Sequence, residues 1–276
     1  MVHPIDPGVH PRDDRAHARD GPVTELTQWL LVFLRCGALL VVFPVLSSPQ
    51  FPVRLRVSLA AVVAFLVAPT VPPQTIPHDL EILGLVMVLF REIAVGLVMG
   101  SVARMAFHAF EFCSAIIGME VGLNAAASFN PMSESRTEAF GTMTFLLGAM
   151  LFFSLDLHHY MLAALQRSYG LVSVGGAGLS MPLFYEVMHR TAQIFQAGLI
   201  MSAPVLAISF LISITFALIS RAVPSMNVFS ESFSFRILAG LLVFGMTLNL
   251  TAQHAANYLR RIPDDILRVA RLLSPG

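Results

Sequence analysis

From Thr191 to Ser220 the chain runs thirty residues without one charged side chain, and from Ala139 to Leu155 another seventeen. About 20 mostly apolar residues suffice to carry a helix across a hydrocarbon core about 30 Å thick. Inside lipid the backbone must satisfy itself, which leaves helices and closed barrels. Runs this long and continuous read as membrane helices, so the chain is an all-α integral membrane protein. Thr27–Leu46, Val57–Val71, Asp79–Glu111 and Ile237–Tyr258 add four apolar segments, and the uncharged runs anchor two more at Ala139–Leu155 and Phe184–Ser220. That makes about six. Charged residues form 12% of the chain, where soluble domains carry about a quarter.

The breaks between segments are specific. Pro44, Pro49 and Pro52, then Pro69, Pro72 and Pro73, bound the short segment Val57–Val71. At about 1.5 Å per residue it barely spans a bilayer, so the first two segments read as a kinked hairpin. Pro204 lies inside its run and predicts a kink. Gly118–Glu138 is rich in Gly, Ala, Ser and Asn and contains Asn130-Pro131, which argues against a long regular helix there. Irregular backbone at membrane depth is tolerated only when buried in protein or lining a cavity. Arg167–Pro182 reads as an exposed Gly- and Ser-rich loop.

Three stretches follow from this. Residues 1–22 mix Arg12, Arg15 and Arg19 with Asp6, Asp13, Asp14 and Asp20 and read as a disordered polar tail, not a cleavable signal. Residues 23–260 form a single membrane domain. Residues 261–276 form an amphipathic helix: Pro263, Asp264 and Asp265 open it, and Ile266, Val269, Ala270 and Leu273 make one stripe. Arg260, Arg261, Arg268 and Arg271 cluster after the last apolar segment and place this end in the cytoplasm.

Several chemistries are absent. The 17 basic residues are all Arg, so no P-loop lysine, Schiff-base lysine or Ser-Lys dyad exists. There is no G-x-S-x-G and no H-E-x-x-H, and Ser154, Asp156 and His158 lack an evident third partner for hydrolase work; the chain does not read as an enzyme. Net charge is zero, which gives no basis for nucleic-acid binding. Cys36 and Cys113 stand alone in separate segments and read as small buried hydrophobes. Asp156, His158 and His159 read as an interfacial polar cap, since adjacent helical His side chains point about 100° apart. No metal or cofactor is expected. Gly96 and Gly100 form a G-x-x-x-G step that lets another helix approach. Arg104, His108 and Glu111 share a helix face, either satisfying one another or meeting a neighbouring subunit's charges. A polytopic solute transporter is the competing class, but the segments lack a set of intramembrane acids for ion coupling.

Four blocks in order carry a likeness: FLRCGALLVVFPVLSSPQFPVRLRVSLA, REIAVGLVMGSVARMAFHAFEFCSAIIGMEVGLNAA, LGAMLFFSLDLHHYMLAALQRSY and RAVPSMNVFSESFSFRILAGL. Together, from about Leu30 to about Tyr258, they resemble the FliR family, the flagellar export-gate component, whose injectisome relatives are called SctT. Asn227, Val228 and Phe229 resemble the flagellar branch more than the injectisome branch. Departures from the family pattern are Ser232-Phe233-Ser234 for Gly-Phe-Pro, Leu157-His158 for Gly-His, Asn130-Pro131 for Asp-Pro, and Glu111 where an uncharged polar residue is usual.

The resemblance implies a fold like a P-type and a Q-type subunit fused in one chain. It implies a hetero-oligomeric channel with the P and Q components, in the inner membrane at the flagellar basal body. That channel passes unfolded flagellar proteins out of the cytoplasm, with the B and A components on the cytoplasmic side and membrane lipid around it. The alternative is the equivalent subunit of a virulence-type secretion system. The resemblance maps the family's plug onto Gly118–Asn130, with Met119, Leu123 and Phe129 as sealing side chains and Gly118 and Gly122 as flexible points. Arg104, His108, Glu111, Gly96, Gly100, Asn227 and Phe229 are the candidate subunit contacts.

Overall fold

The computed structural model describes residues 21–48, 51–72, 82–122, 139–178, 180–225 and 227–274. The polar tail through residue 20, and Leu123, Phe129 and Asn130, lie outside the described residues. Those described are mostly helical and contain no strand. The first hairpin is α1 (Gly21–Val42), the single-turn α2 (Pro44–Ser47) and α3 (Val53–Val67), closed by a 3-10 turn at Ala68–Thr70. Then come α4 (Ile82–Val121), α5 (Ala139–Ser154), α6 (Leu157–Leu171), α7 (Met181–Ala222), α8 (Val228–Leu259) and α9 (Ile262–Leu273). Five helices are long and apolar enough to cross a membrane, or six when the bent α5–α6 pair counts as one span. The expected set of about six apolar segments is therefore present.

Helix α4 organises the rest, touching α1, α5, α7, α8 and α9. Its 40 residues are about 60 Å at 1.5 Å per residue. The predicted segment ended at Glu111; the helix continues through Ile116, Ile117 and Val121 because these find apolar partners. Val121 fills a notch at Gly240 of α8, where an added Cβ would lie 2.5 Å from Val121 Cγ2. Aromatic rings fill the junction of the first hairpin with α4 and α5. Phe43 sits 6.4 Å from Phe107 and 5.0 Å from Phe152, and Phe107 lies 5.8 Å from Phe145, centroid to centroid.

Asp156 separates α5 from α6 with φ 54°, and the two helices meet at 70°. Asp is among the few non-glycine residues that tolerate the left-handed region. The break also revises the geometry of the polar cap. His158 and His159 lie in the first turn after it, with ring centroids 4.1 Å apart, and ligand atoms of Asp156, His158 and His159 lie within 4.8 Å of one another.

One further expectation is corrected. The predicted loop Arg167–Pro182 begins only after Leu171, and it is half-buried, because its backbone serves as a partner for other elements. Gly178 N–H and Ser180 Oγ donate to the carbonyls of Leu273 and Leu272 at 2.8 and 2.9 Å, satisfying the end of α9. The expected C-terminal amphipathic helix is present as α9, with its stripe packed into the body of the chain. Ile262, Ile266, Val269, Ala270 and Leu273 are all buried, and α9 lies against α4 and α6. Arg190 of α7, itself buried, pairs with Glu186 on its own helix and with Asp265 in the first turn of α9. An amphipathic stripe opposite a free α4–α6 face leaves water more favourably inside the chain than on a partner.

Candidate functional site

The two ends of α4 carry the two arrangements of interest. Toward its start, Glu92, Gly96 and Gly100 recur every four residues and so share one face. Both glycines meet α1. A Cβ on Gly96 would lie 2.2 Å from the carbonyl oxygen of Arg35, and one on Gly100 would lie 2.8 Å from that of Leu39. This G-x-x-x-G face is therefore taken up within the chain and is not open to a neighbouring subunit. The close approach delivers Arg35 to Glu92. Arg35 Nε and Nη2 donate to Glu92 Oε2 and Oε1 at 2.8 and 2.9 Å, a bidentate pair with both side chains essentially inaccessible.

The rest of the shell completes the valences. Arg35 Nη1 donates to Ser168 Oγ at 3.0 Å and Nη2 to the Val172 carbonyl at 3.3 Å. The guanidinium carbon stands 3.9 Å from the centre of the Tyr169 ring, a cation–π contact in a desolvated site. Gly175 N–H donates to Glu92 Oε1 at 3.2 Å, and Arg91 Nη1 returns a bond to the Gly175 carbonyl at 2.6 Å. Gly175 has φ +69°, so only glycine brings this N–H to the carboxylate without strain. One ion pair thus ties α1, α4, α6 and the 172–180 connection together. The sequence alone gives Arg35 no partner. The available signal was that Arg35 is the single charge between Glu25 and Arg54 and that a charge inside an apolar helix must be paired. Glu92, on the glycine face, was the acid to look for.

At its other end α4 stops at Gly122. Gly118 is buried in the helix, not in an irregular segment, and its place in the expected flexible stretch is corrected accordingly. Gly122 has φ +82°, the left-handed stop common at helix C-termini, and the ring of Phe233 from α8 lies where a side chain would go. Gly122 N–H donates to the Met119 carbonyl at 3.1 Å. Ser209 Oγ of α7 donates to the Glu120 carbonyl at 3.1 Å, satisfying a terminal acceptor. Met119 is 70% exposed. The last turn of α4 is thus held by α7 through Ser209 and by α8 through Phe233, and Met119 is exposed.

The stripe midway along α4 resolves into a pair and a single residue. His108 Nδ1 and Glu111 Oε2 are 2.7 Å apart, and both remain substantially exposed. Arg104 is exposed and has no carboxylate partner among the described residues. Asn227 is exposed and accepts from Glu231 N–H through its carbonyl at 3.1 Å. Phe229 lies in the first turn of α8. Cys36 and Cys113 are buried, separate and free.

These features define a class: a multi-pass helical membrane protein with a charge-locked core and large uncovered apolar faces. Within that class the chain belongs to the bacterial export proteins, family 1, whose profile matches residues 26–262. It is 29% identical to the flagellar biosynthetic protein FliR of Caulobacter vibrioides, over 85% of this chain and 93% of that one. It is 24% identical to FliR of Escherichia coli, over 81% and 87%. It is 28% identical to the Yop proteins translocation protein T of Yersinia pestis, over 87% and 93%.

Proposed function

We propose that this chain is the R-type component of the flagellar type III export apparatus, a multi-pass protein of the bacterial inner membrane. It joins the P and Q components in a channel that passes unfolded flagellar proteins. The observation that carries the assembly is the length of its apolar surface. On α7 large apolar side chains are exposed from Met181, at 68%, to Leu218, at 60%. That span is about 55 Å along the axis. A hydrocarbon core of about 30 Å covers it only at a tilt of about 57°, whereas helices tilt up to about 40°. Other protein must cover the remainder, and α3, with Val53, Val62 and Phe65 exposed, offers a second such face.

In this reading the segment from Met119 through Leu123 to Phe129 closes the channel. Apolar side chains exclude water and ions, and Gly122 is the pivot at the fixed end of α4. The Arg35–Glu92 lock holds α4 so that this end keeps its place. Arg104 and the Asn227–Phe229 turn meet neighbouring subunits. The exposed Arg268 and Arg271 face the B and A components in the cytoplasm.

Co-expression with the P and Q components followed by native mass spectrometry tests the assembly; a stable hetero-oligomer is expected, and recovery of the chain alone would refute it. Deleting residues 123–129 should leave assembly intact and raise ion leakage in proteoliposomes. Unchanged conductance would remove the gate role. The 28% identity to the Yersinia translocation protein supports a second reading as an injectisome subunit. Restoration of swimming in a strain lacking its R component separates the two, since an injectisome subunit is expected to leave that strain non-motile.

A further inference from the structure

We propose that the groove between α7 and α8, at their cytoplasmic end, binds the phosphate of an anionic phospholipid, with the acyl chains lying along the same helix pair. The groove is a cavity of about 270 Å³. Its polar wall consists of Gln193 and Gln196 from α7, His254, Asn257 and Tyr258 from α8, and Arg261 at the junction with α9. All six carry hydrogen-bond donors, and no carboxylate lines the space. The nearest acids are committed elsewhere: Asp265 and Glu186 both pair with Arg190. Arg261 is exposed and forms no ion pair among the described residues. A donor-lined space with a free guanidinium and no carboxylate in its lining selects an anion, and a guanidinium matches phosphate oxygens in a bidentate fork.

Position identifies the source of that anion. The groove lies where α8 gives way to Arg260 and Arg261, the end that the arginine cluster assigns to the cytoplasmic leaflet. Its floor is apolar, formed by Ala197, Ile200 and Met201. Farther along the helices toward mid-membrane, Leu199 and Leu250 are each 48% exposed and Met246 76%. A phosphate at Arg261 with hydrocarbon leading away from it has the geometry of a lipid, not of a free ion. Basic pockets between membrane helices on the cytoplasmic side take anionic head groups for the same reason.

The test uses the full-length chain in detergent, so it is independent of whether P and Q assemble around it. Native mass spectrometry is run with dioleoylphosphatidylglycerol, with dioleoylphosphatidylcholine and with inorganic phosphate. Phosphatidylglycerol adducts should dominate, and Arg261→Ala should cut their occupancy about fivefold, the loss of one basic contact at an anionic head group. Arg261→Lys, which keeps the charge but loses the bidentate fork, should fall between the parent and Arg261→Ala, and Arg271→Ala, on exposed α9 surface outside the groove, should retain full binding. If Arg261→Ala does not fold, His254→Ala and Gln196→Ala carry the same expectation. Equal retention of both lipids, or unchanged binding in the groove variants, overturns the proposal. Inorganic phosphate binding as tightly as phosphatidylglycerol overturns the lipid assignment in favour of a free-anion site.

Discussion

Replacing Glu92 by Gln separates the charge in the core from its shape. The amide keeps the length of the side chain and an oxygen for Gly175 N–H, but it leaves the Arg35 guanidinium without its counter-charge. The remaining partners are the amide oxygen, one hydroxyl, one carbonyl and the Tyr169 ring. Removing one member of a buried pair costs about 3–5 kcal/mol, because the other charge stays desolvated. Ser168→Ala is the graded control: it deletes one hydrogen bond to a charged group, about 1.5–3 kcal/mol, and leaves the bidentate pair intact. Arg35→Met with Glu92→Leu removes both charges and should cost less than Glu92→Gln alone. The assay is equilibrium unfolding in detergent micelles followed by the fluorescence of Trp29, the single tryptophan. It lies in α1, stacked on Phe33 at 5.4 Å and two turns from Arg35. The expected order of destabilisation is Glu92→Gln, then Ser168→Ala, with the double variant well below the sum of its singles. A Glu92→Gln protein within about 1 kcal/mol of the parent, or additive single and double variants, would refute the claim that this pair holds the four elements together.

Gly96→Val places carbon 2.2 Å from the Arg35 carbonyl; α1 must shift, costing at least about 1–3 kcal/mol, read in the same unfolding assay. Ser209→Ala removes the donor to the Glu120 carbonyl and should cost about 1 kcal/mol while raising ion leakage through the assembled channel; an unchanged leak would show that the mooring does not matter to closure. Asp156→Gly relieves the left-handed backbone at the α5–α6 break and should stabilise by up to about 1 kcal/mol, whereas Asp156→Ala should not. Arg190→Ala leaves Asp265 without its partner and should expose α9 to limited proteolysis, which an undigested α9 would contradict.

Hydropathy determined the class of this protein. Whether a segment of twenty or thirty residues can leave water is a property of its own side chains, so the apolar helices were legible residue by residue. The helix stop at Gly122 was partly legible: glycine marks it, yet the soft composition around Gly118 suggested an earlier end. What kept α4 regular to Val121 was packing on α7 and α8, more than eighty residues away in sequence. The same dependence hid the Arg35–Glu92 lock. Each charge was visible alone, but their pairing needs α1 pressed onto Gly96 and Gly100, and the remaining bonds come from Ser168, Val172 and Gly175. Nor could the stripe of α9 declare its partner, since an amphipathic helix specifies that one face will be covered and not by what. Local physics decided what each segment is; only tertiary contact decided which polar groups meet, because a buried charge or an open carbonyl is satisfied by whatever the fold brings within about 3 Å of it.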